Sequence, residues 1–332
     1  MGQEKYGTVD IVYLWVDGKD PTWRLKRQQA GEKLSLDHRG AMAVYSNVEG
    51  RFRDNDELRC NLRALERFFP DHGHVYVVTD GQTPEWLCAS ERLTVIDHKD
   101  LIPAHALPTF DSGNIESYIH RIPQLSERYF YLNDDVFFGG PVDLDHWFWE
   151  DGIYVGWSDE PGVSDEPLRE DATSLENACR LSHQWLNAHV AGQRNPAYTH
   201  TARTFAHSPR PMRRSVLVEL ESLAPGMFEV VRSTVFRTWD KPTIISDFVM
   251  RWSLANSVAR VRDYAHMHVS TGEDTTRSEL EVLAASLGTL DFFCINDTTD
   301  DAHPNDPRLV QVREALHRMF AEPSGFEDMH AG

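Results

Sequence analysis

No two of the four cysteines are near neighbours: Cys60, Cys88, Cys179 and Cys294 are scattered, with no Cys-x-x-Cys pair. That spacing excludes a zinc ribbon and a dithiol redox motif, and the thiols read as reduced core residues of a cytoplasmic chain. There is no uninterrupted apolar run long enough to span a bilayer, and no basic region or cleavage site ahead of the first apolar stretch, so no integral membrane segment is expected. Positive charge is scarce, with 33 Lys and Arg against 52 Asp and Glu for a formal charge of −19. This balance argues against a nucleic-acid or anionic-membrane partner, since both need a basic footprint. A small phosphorylated substrate remains open, because a few arginines aimed at one place suffice. Repeats and low-complexity tracts are absent as well, and 332 residues, 41% of them hydrophobic, can bury one large core or two modest ones.

The most awkward chemistry lies in Tyr129-Phe130-Tyr131-Leu132-Asn133-Asp134-Asp135-Val136-Phe137-Phe138, where an amide and two carboxylates are wedged between aromatic and aliphatic blocks. The run reads as a buried strand that spills polar groups from its carboxyl end, the place where open α/β sheets bind ligands. Adjacent anions such as Asp134 and Asp135 are best tolerated with a cation or hydrogen-bond donor between them, which points to a hard-metal site holding a phosphate-bearing substrate. A solvated Asn-Asp turn after a strand is the plainer reading. Leu290-Asp291-Phe292-Phe293-Cys294-Ile295-Asn296-Asp297 has the same form. If both strands lie in one sheet, their tips can share one cation.

Elsewhere, Val9 to Val16 suits a central strand covered on both faces, ending in Asp17-Gly18 before an Asp20-Pro21 helix start, a weak anion-binding corner. Leu34 to Arg51 shows no period and reads as a flexible loop over the site. Asp54 with Glu57 approximates a capping box for a helix with Leu58, Leu62, Leu65 and Phe69 inward. Arg59 and Arg63 share one face of it, either solvated or reaching a phosphate. Val75–Val78 and Leu93–Ile96 are further strands, and strands alternating with helices imply a mainly parallel sheet. A helix capped by Asp111 or Ser112 is expected to run through Ile115, Ile119 and Ile122, with its start as a second anion corner. Glu116 and His120 lie four apart on it, and His120 alone reads as a half-buried structural histidine. Leu175 to Val190 and Ile244 to Val258 read as helices, and Pro307 to Phe320 as a closing cap. His207 sits in a proline-stiffened loop and has the intrinsic pKa of a proton acceptor, although a structural role is the commoner one. Arg237, in an apolar and aromatic setting, needs a carboxylate or a phosphate.

These motifs, taken in order, resemble the Stealth proteins. Asp10 to Gly18, Arg51 to Arg59, Leu107 to Ser117 and Tyr131 to Asp135 look like the first two conserved regions. Phe205-Ala206-His207 with Phe236-Arg237 is similar to the third region, and Phe293 to Asp297 followed by Phe326-Glu327 to the fourth. The resemblance implies a sugar-1-phosphate transferase that uses a nucleotide-sugar donor, a UDP-hexose or UDP-N-acetylhexosamine such as UDP-GlcNAc, and a glycan or polysaccharide acceptor. It implies that Asn133, Asp134, Asp135, Asn296 and Asp297 hold a divalent metal, Mg²⁺ or Mn²⁺. It also implies that His207 and Arg237 belong to the reaction centre, with His207 or Asp135 as the base. Trp15, Asp17, Gly18, Arg59, Arg63 and Ser112 are then expected around the donor. One departure is Thr298, where many relatives carry a further asparagine.

The expected architecture is α/β, a Rossmann-like, mainly parallel sheet with helices on both faces and an added helical layer. Residues 1–140 form the nucleotide-sugar half, 141–289 a mostly helical insertion carrying His207 and Arg237, and 290–332 a closing strand and helix of the same body. The rival functions are a metal-dependent glycosyltransferase releasing UDP and a glycan-binding protein without turnover.

Overall fold

Val9–Leu14 (β1) is buried along its whole length, and its side chains divide strictly by parity. Val9, Ile11, Tyr13 and Trp15 enter one apolar core, while Val12 and Leu14 enter another. A strand with period-two side chains can do this only if both of its faces are covered. Val75–Thr79 (β2) and Arg128–Asn133 (β4) flank it in parallel, and Leu93–Asp97 (β3) extends the sheet beyond β2. With Arg210–Arg213 (β8) antiparallel to β4, the order is β3-β2-β1-β4-β8. These assignments belong to a computed structural model that describes residues 5–164, 166–189, 200–303 and 305–328.

Helices cover both faces. On one side Glu57–Phe68 (α2), following Pro21–Lys33 (α1), supplies Leu58, Leu62 and Leu65 to the core. It is joined there by Thr276–Ser286 (α8) and Pro307–Met319 (α9), through Leu280, Leu283, Val312 and Leu316. On the other side lie residues of Ser174–His189 (α4), Arg214–Leu223 (α5), Pro225–Arg232 (α6) and Ile245–Ala255 (α7), the added helical layer.

Two smaller sheets knit the rest together. Val136–Phe138 (β5) pairs antiparallel with Phe292–Asn296 (β11), which pairs in parallel with His266–Ser270 (β10). Phe148–Trp149 (β6), Gly152–Val155 (β7) and Ala259–Val261 (β9) form the other. Segment 141–289 therefore lends β8 to the main sheet and β10 to a sheet shared with residues on either side of it.

Three local expectations are corrected. The two acidic strand tips lie in different sheets, β4 in the five-stranded one and β11 in the three-stranded one. The helix expected through Ile122 breaks after Ser112–Glu116 (α3) and resumes as a 3₁₀ turn, Ile119–Arg121, although Ile115, Ile119 and Ile122 are all buried. The capping box is displaced: Asp54 accepts from the Glu57 amide, but the Glu57 carboxylate returns to Asn55.

Candidate active site

The main sheet has its switch point between β1 and β4, since the chain leaves β1 toward β2 and β3 on one side and reaches β4 on the other. Crevices at the carboxyl ends of such a strand pair are where doubly wound folds bind ligands. Three connections converge there. Asn133 closes β4, and Asp134-Asp135 turn the chain into β5. Because β5 is antiparallel to β11, the Ile295 amide donates to the Asp135 carbonyl at 3.0 Å, and Cys294 lies opposite Val136. Because β8 is antiparallel to β4, with Arg210 opposite Tyr131, the loop leading into β8 lies over the end of β4 and brings His207 with it.

Asn133 Nδ2 lies 3.1 Å from His207 Nε2, and Asp135 Oδ1 lies 4.0 Å from the same nitrogen. Cys294 Sγ is 3.3 Å from His207 Nδ1 and 3.6 Å from Asp135 Oδ2. With the Asn133 amide donating to Nε2, the imidazole carries its proton on Nδ1, facing the sulfur. Behind this group runs a buried hydrogen-bonded chain. The Tyr131 hydroxyl is 2.9 Å from both Asn133 Oδ1 and Glu116 Oε1. The other Glu116 oxygen accepts from the Ser246 amide and hydroxyl at 2.9 and 2.8 Å, and Arg210 donates to that hydroxyl at 2.7 Å. Glu116, Tyr131, Ser246 and Cys294 were not singled out for the site by sequence reasoning. Their only signal is position: Glu116 and Tyr131 fall inside the quoted motifs, and Cys294 lies two residues before Asn296, on the same strand face.

The group is short of positive charge. Burial, then Asp135 and Asp54, raise the Asp134 carboxyl well above the carboxylate range. Burial draws His207 down to about 4 against the attraction of Asp135, and burial also raises the Cys294 thiol. Asp135 Oδ1 is buried without a hydrogen-bond partner among the described residues. An orphaned carboxylate oxygen beside a second carboxyl that is hard to ionise fits a cation. The ligand atoms of Asp135, His207 and Cys294 lie within 4.8 Å of one another, an O, N, S set able to hold a metal ion. Asn133 and Asp134 precede Asp135 in the chain, and Asn296 lies two residues after Cys294 on β11.

Arg237 approaches from the side of α3. Its guanidinium meets the Ser112 hydroxyl, and Nε lies 3.5 Å from Asp111 Oδ1. Asp111 is itself held by Gly113 N–H at 2.9 Å and the Thr234 hydroxyl at 2.8 Å, which closes the small helix start to a free anion. The crevice beside Arg237, lined by Asp111, Ser174, Thr238 and Lys241, is narrow.

Other expected donor and metal residues are engaged elsewhere. Arg59 Nε and Arg63 Nε each lie 2.6 Å from Glu327, so these arginines fasten the C-terminal segment to α2. Asp297 is gripped by Arg53 and by Thr299 N–H and Oγ at 2.9 and 2.7 Å, turned away from the cation group. Trp15 is buried and donates to Asp54 Oδ2 at 3.0 Å. Asp17 exchanges backbone hydrogen bonds with the Gln82 amide and caps Lys19, while Asp20 caps α1. A Cβ on Gly18 would lie 2.0 Å from the Phe52 carbonyl oxygen, so glycine here permits a close packing contact with Phe52.

Residues 7–35 match Stealth protein conserved region 1, and residues 51–155 match conserved region 2. The chain is 32% identical to an exopolysaccharide phosphotransferase of Streptomyces coelicolor, over 96% of this chain and 33% of that protein. It is 31% identical to the exopolysaccharide phosphotransferase CpsY of Mycobacterium leprae, over 96% of this chain and 57% of that one. The chain thus spans from a third to somewhat over half the length of these relatives. Among solved structures, the galactosyltransferase LgtC, in complex with donor and acceptor sugar analogs, aligns over 95% of this chain and 96% of its own, at 10% identity and a TM-score of 0.41. Conserved regions 1 and 2 of the Stealth proteins are thus both matched in this chain, and in order.

Proposed function

We propose that this chain is the catalytic body of a sugar-1-phosphate transferase. A glycan hydroxyl attacks the sugar-bearing phosphorus of a UDP-hexose or UDP-N-acetylhexosamine. The new P–O bond forms, the bond to the bridging oxygen breaks, UMP leaves and the hydroxyl proton passes to a base. The names of the relatives support phosphoryl rather than glycosyl transfer. The observation that carries the reading is the contact of Asn133 and Asp135, within conserved region 2, with His207 and Cys294 from distant parts of the chain.

Phosphoryl transfer needs in-line positioning and charge neutralisation more than covalent help. His207 takes the proton: burial keeps its imidazole neutral, and Asp135 stabilises the imidazolium as it forms. Arg237 with Ser112 steadies the transferring phosphate. Asn133, Asp134, Asp135 and Asn296 would hold the divalent cation, Mg²⁺ or Mn²⁺, which supplies charge neutralisation at the diphosphate. Incubating the protein with a panel of UDP-sugars, Mg²⁺ and a glycan acceptor, and identifying the nucleotide released, tests this. UMP is expected. UDP would show that the sugar alone moves.

A further inference from the structure

We propose that Arg51 joins Arg237 in a two-guanidinium clamp for a diphosphate, facing the cation group formed around Asp135. The clamp deepens the function proposed above and rests on it for the identity of the diphosphate, but not for the presence of an anion site. Arg51 opens the stretch that matches conserved region 2, but its position at the end of a segment without helical or strand period gives it no role by itself. Three structural observations single it out.

The first is how the polar side chains are held. Trp23, Phe52, Phe110 and Phe236 form a small separate core, with Phe110 and Phe236 stacked at 5.1 Å and Trp23 5.3 and 5.5 Å from Phe52 and Phe110. Each of three polar residues is the chain neighbour of one anchor: Arg51 of Phe52, Asp111 of Phe110, and Arg237 of Phe236. One aromatic cluster thus fixes the backbone beneath all three.

The second is the state of the guanidinium groups. Nε of Arg51 is buried with no hydrogen-bond partner among the described residues, and Nε of Arg237, also buried without a hydrogen bond, has only its 3.5 Å ion-pair contact with Asp111. Burial, then the neighbouring charge of Arg237, pull Arg51 down to about 9, against the attraction of Asp111 and Asp135. Two like charges held by one aromatic cluster, with a donor of Arg51 unused, are unfavourable on their own and become favourable around an anion. Asp111 does not fill that role for both, since its oxygens already serve Gly113, Thr234 and Arg237.

The third is rigidity. The Gly50 amide donates to the Thr299 carbonyl at 2.9 Å, and the Glu49 amide to Asp300 Oδ1 at 2.9 Å. Arg53 is bound to Asp297, Thr299 and Ala302. A Cβ on Gly50 would lie 2.5 Å from the Asp297 carbonyl oxygen, so glycine permits this approach. Arg51 is therefore presented from a strap latched to the loop that follows β11. That loop adjoins the strand tip expected to carry the cation, so Asp297 acts on the site by holding the strap.

The test uses inorganic pyrophosphate as the probe, titrated calorimetrically into the full chain in Mg²⁺ buffer. Arg51→Gln is expected to weaken binding at least about tenfold, and Arg51→Lys, which keeps the charge but loses the planar fork, by less. Arg39→Gln, which removes an exposed positive charge outside the site, is expected to leave affinity unchanged. Unchanged affinity in Arg51→Gln, equal losses in Arg51→Gln and Arg39→Gln, or no pyrophosphate binding by the parent would each overturn the clamp. If Arg51→Gln does not fold, Arg51→Lys decides, with parental affinity and an unchanged Tm counting against the proposal. The released nucleotide judges the functional reading separately. UDP release with a tenfold loss in Arg51→Gln removes sugar-1-phosphate transfer and leaves the clamp, whereas UMP release with no loss does the reverse.

Discussion

His207 illustrates how much of a side chain's character comes from contacts invisible to its neighbours in sequence. Its Nδ1 faces Cys294 and its Nε2 faces Asn133, so both ring nitrogens are already oriented before any substrate arrives. Asn133 is in turn oriented by Tyr131, and Tyr131 by Glu116, so the imidazole is set by a chain that ends on α7 at Ser246. Pre-orientation of this kind is worth most when charge develops in the transition state. His207→Ala and Arg237→Ala are each expected to lower turnover at least about a hundredfold, the usual scale for losing a proton acceptor or a charge-stabilising donor. Steady-state nucleotide release by folded variants checks this, and a near-parental rate in either variant removes that residue from the chemistry.

Among elements, α2 shows how a face can mislead. Arg59 and Arg63 are spaced to share a ligand, and they do, but the ligand is Glu327 from the far end of the chain. Burial alone would raise this carboxyl. Arg63, the Ser324 amide and Arg59 overcome that and hold Glu327 at about 2. A depressed folded-state pKa contributes stability that is fully present above the ordinary carboxylate pKa and is lost as pH falls toward the folded value. Glu327→Gln is therefore expected to destabilise the protein at pH 7 by up to about 3 kcal/mol, with the gap from the parent closing between roughly pH 4.5 and pH 2. Urea unfolding at several pH values measures this, and a pH-independent gap would assign the loss to packing.

At the scale of the molecule, a chain with a formal charge of −19 assembles a half-buried acidic group at its sheet's switch point. Burial and the neighbouring Asp135 raise the Asp134 carboxyl there, and Asp135 Oδ1 has no hydrogen-bond partner among the described residues, an arrangement that a bound cation would favour. Mg²⁺ or Mn²⁺ is expected to raise Tm through linkage, and EDTA to abolish nucleotide release until the cation is restored. Undiminished turnover in EDTA would remove the metal from the proposal. Among the described residues no helix is long and apolar enough to cross a membrane.

Near-continuous apolar runs determined the strands, because a strand covered on both faces has no solvent side that calls for polar alternation, as in β1, β2 and β4. The polar spill at Asn133-Asp134-Asp135 likewise marked the site, since such groups have no packing role at a strand's end. Family resemblance pointed to His207 among the distant residues, but residue patterns alone could not say how it or Cys294 reaches the site. That depends on strand direction: antiparallel β8 delivers His207 and antiparallel β5–β11 delivers Cys294, and pairing partners are chosen by the whole sheet. Whether an arginine meets a substrate or a carboxylate was equally undecidable locally. Only the tertiary structure gives Arg63 a buried Glu327 and leaves Arg51 Nε without a hydrogen-bond partner among the described residues.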